Sequence, residues 1–147
     1  MKHFFAVLTV IFAAVMTHAQ YAANQVPAYH PAAPAAGEKL PTVLTEKQLA
    51  DQGLILPAQK ESYKAAARAS SVVYQMPCYC YCDRNHGHTS LRSCFEGTHG
   101  AQCGTCMQEA LYSYRQSKKG WTAKMIRNGI LQGDYKLVDL QNVPAIP

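Results

Sequence analysis

The sequence has no cysteine outside residues 77–106, so all six of its thiols crowd into thirty positions. It has no internal repeat and no run of like charge; Lys118 and Lys119 are its single adjacent pair of cations. That pattern leaves no electrostatic footprint for nucleic acid. No carboxylate pair, serine–histidine–acid set or phosphate-binding loop is present, so hydrolysis and phosphoryl transfer have no support. There is no βαβ pattern of the kind that carries a thioredoxin-type redox site. At 147 residues the chain has room for one small domain.

What is present begins with Met1-Lys2-His3, an apolar run over residues 4–16, and Thr17-His18-Ala19. A basic start, a short apolar core and small residues before a cut describe a secretory signal peptide, residues 1–19, too short for a membrane span. Without Lys2, the 14 basic residues become 13 against 9 acidic, a modest net charge of +4. The expected localisation is periplasmic or secreted, with no membrane insertion once the signal is removed. Residues 20–44 read as a disordered spacer. Positions 21–37 hold no Asp, Glu, Lys or Arg, and Pro27, Pro31 and Pro34 break any helix the alanines favour.

A helical domain is expected over residues 45–136, with 137–147 as a tail. Thr45 and Gln48 form a capping box ahead of a short helix that Gly53 closes. Pro57 suits a first helical position, and an alanine-rich stripe with Tyr63 and Val73 runs from there to about Gln75. Met76-Pro77 ends it. Thr105 and Gln108 make a second capping box, followed by Met107, Ala110, Leu111 and Tyr114 at helical spacing. Thr122 caps a last helix carrying Ile126 and Ile130, with Gly133 beyond it. The fold class is therefore mainly α, a small helical domain around a cysteine-rich loop. Its stripes hold few large side chains, so a staple of disulfides or metal is expected.

The loop opens on Pro77-Cys78-Tyr79-Cys80-Tyr81-Cys82. In an extended segment these three cysteines share one face, and neighbouring members lie at the edge of disulfide reach. They are better placed to offer thiolates to a shared centre. Cys103 and Cys106 have the spacing used by zinc knuckles and by thiol oxidoreductases. With Thr105 as cap, Cys106 is the first helical residue, where free amides favour a thiolate. Cys94 stands alone between the two groups, while His88 and His99 are nitrogen donors within reach by sequence; His86 reads as an exposed loop residue. Six cysteines in an exported chain are also the count for three disulfides, with 15 possible pairings.

Several pieces of this region together resemble a known family. They are Pro77–Cys80, Cys82, Gly87-His88, Leu91, Cys94-Phe95, His99-Gly100, Cys103 with Cys106, and Glu109-Ala110. The pattern is similar to the exported bacterial proteins named for a PCYCGC motif, also called CYCXC. The resemblance spans about residues 63–130 and includes Ile126-Arg127. Tyr81 stands where the name motif has glycine, so no positive φ is expected there. Many relatives are lipoproteins, and this chain has no anchor cysteine near the expected cut. Selenocysteine in place of cysteine in some relatives implies redox or soft-metal chemistry.

The reading that follows is a metal-binding protein for zinc(II) or copper(I). Its ligands are drawn from Cys78, Cys80, Cys82, Cys94, Cys103 and Cys106, with His88 and His99 as further donors. The alternatives are a thiol–disulfide redox protein using Cys103 and Cys106, and a disulfide-stapled binding module.

Overall fold

A computed structural model describes residues 26–147. The expected signal peptide, residues 1–19, and the first part of the spacer lie outside the described residues. Among those described there is no strand. The helices are α1 (Glu46–Ala50), α2 (Pro57–Arg68), α3 (Ser70–Tyr74), α4 (Cys82–Asn85), α5 (Gly104–Lys118) and α6 (Ala123–Gln132). Three 3-10 turns, Leu91–Phe95, His99–Gln102 and Asp134–Leu137, complete the regular structure. No helix among the described residues is long and apolar enough to cross a membrane.

Helix ends follow the local chemistry. The Thr45 hydroxyl accepts from the Gln48 amide at 3.3 Å, and the Gln48 side chain accepts from the Thr45 amide at 2.8 Å. Pro57 sits in the first turn of α2. Thr122 caps α6, and Gly133 ends it in the left-handed conformation that glycine adopts without a Cβ penalty. The single helix expected from Pro57 to about Gln75 is interrupted at Ala69, which leaves helical geometry and divides it into α2 and α3.

α2 and α5 pack along one another as the main pair. The cysteine region supplies much of the interior between them. Leu91, Cys94 and Phe95 from one 3-10 turn are fully buried with Tyr63, Met76, Leu111 and Ile126. What reads as a loop in sequence is thus a chain of short turns wrapped into the core. Tyr63 pins two of them: its hydroxyl donates to the Gly97 carbonyl and accepts from the Ala101 amide at 3.2 Å.

Both flanks lie against this core. Residues 26–44 have the irregular backbone expected of a Pro/Ala-rich stretch, yet Pro27 is fully buried and the His30 ring stacks on Tyr74 at 3.8 Å. The Leu44 amide donates to the Phe95 carbonyl at 3.0 Å. At the other end Val138 and Ile146 are buried, and the Ile146 amide donates to the Glu61 carboxylate at 2.7 Å.

Candidate metal centre

The Cys78–Cys82 run is not extended. The Tyr81 amide donates to the Cys78 carbonyl at 3.0 Å, closing a tight turn, and Cys82 then opens α4. The turn is hung on α5, because the Tyr79 amide donates to the Glu109 carboxyl at 2.9 Å. Bending the run brings the sulfurs of Cys78 and Cys80 to 3.2 Å, which an extended segment would keep apart.

Tyr81 makes the turn at a cost. It takes φ +57°, ψ +37°, and is the one non-glycine residue among those described with positive φ. The expectation that no positive φ is needed there was wrong, and the glycine of the family's motif matches the backbone this turn requires. The left-handed region costs an L-residue about 1–2 kcal/mol. Stacking of the Arg84 guanidinium over the Tyr81 ring at 4.1 Å offsets part of that. Tyr81→Gly is therefore expected to leave stability within about 1 kcal/mol of wild type, relief of strain balancing lost stacking and added chain entropy. Tyr81→Val, β-branched at the same φ, is expected to cost about 2 kcal/mol or more. Equal stabilities for the two variants in denaturant melts would show that the turn does not need this conformation.

Five sulfurs, those of Cys78, Cys80, Cys82, Cys94 and Cys106, lie within 4.8 Å of one another. Cys78, Cys80 and Cys106 form a triangle with sides of 3.2, 3.3 and 3.4 Å. Cys94 is 3.6 Å from Cys82. All six cysteines are free thiols, and these separations are well beyond the S–S bond length of about 2.05 Å. Cys94, isolated in sequence, is completely buried inside the group. Cys103 is not one of the five; it is half-buried beside them and interacts with the thiols of Cys80 and Cys106. Both candidate histidines reach the cluster. His99 Nε2 is 3.0 Å from Cys82 Sγ, and His88 Nδ1 is 3.3 Å from Cys94 Sγ. His86 is exposed, but its ring centroid lies 4.6 Å from that of His99, so three imidazoles share one side of the cluster.

The start of α5 differs from the sequence reading. Cys103, not Thr105, is the N-cap, so Cys106 is the third helical residue and the second capping box does not form. The easily ionised thiol is correspondingly not Cys106, whose thiol is pushed up chiefly by its hydrogen bond with Cys103. Cys80 is instead held low by hydrogen bonds from Cys103, then Cys106 and Cys78. A half-exposed thiolate surrounded by S–H donors is stabilised by those bonds. Cys82 is lowered to about 7, first by its hydrogen bond with Cys78. His99 is raised, chiefly by its contact with Cys80.

Glu109 was legible only as part of the family-like pattern, since nothing in its helix marks a carboxyl that will be buried. It is fully buried, one oxygen held by Tyr79 and the other without a partner. Burial raises its pKa from 4.5 to about 8. An acid raised on folding stabilises the folded chain below its unfolded pKa, and that contribution is lost as pH climbs through the folded value. In the metal-free protein this group should lower stability by roughly 3–5 kcal/mol between about pH 4.5 and 8. Glu109→Gln keeps an acceptor for Tyr79 and cannot ionise. The difference between wild-type and variant denaturant midpoints should therefore change across that window; a constant difference would mean the carboxyl ionises normally.

Fold and cluster together define a small, mainly helical domain built around a group of free thiols that could hold a metal ion. The chain belongs to the family described as protein of unknown function with PCYCGC motif, which matches residues 15–138. Neither a curated protein nor a solved structure matches it.

Proposed function

We propose that this is an exported protein that binds a soft transition-metal ion, zinc(II) or copper(I), through its thiolate cluster. The observation that carries the reading is the convergence of five sulfurs within 4.8 Å, four of them buried. Thiolates supplemented by imidazole suit these two ions better than hard cations, which prefer oxygen. Export rests on the signal-like start of the sequence. The ligands are Cys78, Cys80, Cys82, Cys94, Cys103 and Cys106, joined by His88 and His99.

Reduced protein should take zinc from a chromophoric chelator. A variant with Cys78, Cys80, Cys82, Cys94 and Cys106 all changed to Ser should take at least tenfold less at equal concentration. A wild-type protein that leaves both this chelator and a chromophoric copper(I) chelator saturated would overturn the proposal. One feature favours the redox alternative, namely the half-exposed Cys80 thiolate 3.2 Å from Cys78 and 3.3 Å from Cys106. In that reading Cys80, rather than the Cys103/Cys106 pair, is the attacking sulfur, and Cys80→Ser should abolish reduction of a model disulfide.

A further inference from the structure

We infer that the cluster holds two metal ions in chemically different centres, an inference that rests on the metal-binding reading. A structural zinc ion takes four ligands, almost always as a tetrahedron. Five converging thiols, the neighbouring Cys103 thiol and two imidazoles offer twice that number. They are not spread evenly. Cys78, Cys80 and Cys106 are mutually within 3.2–3.4 Å, and Cys103 flanks Cys80 and Cys106. That set is an all-sulfur quartet.

The remaining four donors form a separate chain. His99 contacts Cys82 at 3.0 Å, Cys82 contacts Cys94 at 3.6 Å, and Cys94 contacts His88 at 3.3 Å. Contacts between the two sets are longer: Cys80 Sγ to His99 Nε2 is 4.0 Å, and Cys82 and Cys94 lie within 4.8 Å of the Cys78, Cys80 and Cys106 sulfurs. With metal–sulfur bonds of about 2.3 Å and metal–nitrogen bonds of about 2.0 Å, neighbouring donors in a tetrahedron sit roughly 3.3–3.8 Å apart. The distances within each set fall within a few tenths of an ångström of that range.

The two sets are anchored differently. Each pairs two buried sulfurs with two half-exposed donors: Cys80 and Cys103 in the all-sulfur set, His88 and His99 in the mixed one. The all-sulfur set sits against α5 through Cys103 and Cys106, and the mixed set lies beside the His86 ring.

Cobalt(II) titration of the reduced, metal-free chain tests this, because its absorption distinguishes all-sulfur from mixed sulfur–nitrogen coordination. Two equivalents are expected, with both spectral types present at saturation. The His88→Ala, His99→Ala double variant should bind one equivalent with the all-sulfur spectrum. Cys103→Ser with Cys78→Ser should bind one with the mixed spectrum. A single equivalent in the wild-type chain would overturn the two-centre inference and leave the metal reading standing. Two equivalents unaffected by the histidine changes would overturn the assignment of the mixed centre. No binding of cobalt, zinc or copper(I) at all would overturn both.

Discussion

Stripping the metal from the loaded protein is expected to lower its melting temperature by about 15 °C, while a mild reductant leaves it unchanged. The cluster is not an appendage. Cys78, Cys82, Cys94 and Cys106 belong to the same buried core as Tyr63, Met76, Leu91, Phe95 and Leu111. A ligand that binds only the folded chain at a thousandfold above its Kd adds about 4 kcal/mol. For a domain of this size each kcal/mol shifts the midpoint by about 4 °C. Disulfide staples would reverse the two reagents' effects, and a redox pair would make neither matter much. Circular dichroism melts of one preparation, divided between chelator and reductant, check the expectation.

Phe95→Ala is expected to be the most damaging single core truncation, costing about 4 kcal/mol. Phe95 is completely buried and meets Tyr63 edge-to-face with ring centroids 4.9 Å apart. Its backbone carbonyl receives the Leu44 amide, and it is the residue after Cys94. The Phe95 ring also fills the space where a side chain at position 100 would go. A Cβ on Gly100 would lie 3.0 Å from the ring and 2.8 Å from the Cys94 carbonyl. Truncation should therefore loosen the turns that carry Cys94 and His99 and weaken metal binding along with stability. Denaturant melts of the metal-free and metal-loaded variant separate the two effects. A loss below about 1 kcal/mol in the metal-free form would show that these turns do not depend on the ring.

Helix ends were legible in sequence wherever a local rule sets them. The Thr45 capping box, Pro57, Thr122 and Gly133 each act within a few residues, and each stands where expected. The cysteine cluster was legible from clustering alone, and His88 and His99 do reach it. What escaped depends on contacts distant in sequence. The burial of Cys94 follows from the 3-10 turn that Phe95 and Leu91 drive into the core, and no spacing rule foretells it. The left-handed Tyr81 is a consequence of closing the turn onto Glu109, thirty positions beyond Tyr79. The Cys103 cap displaced Thr105 because the chain enters α5 from the turn at His99–Gln102, a path that composition does not encode. The contacts of Pro27, His30 and Ile146 were likewise hidden, since a few buried residues in a polar segment carry no periodicity.

The most direct test of a metal held by free thiols is mass spectrometry of the protein recovered after export without reductant or chelator. Native spectra are compared with acid-denatured, alkylated ones. The expected result is metal in the native mass, lost on denaturation, and alkylation at all six cysteines. A protein whose native mass shows no metal, and whose denatured cysteines resist alkylation because they are paired in three disulfides, would contradict it.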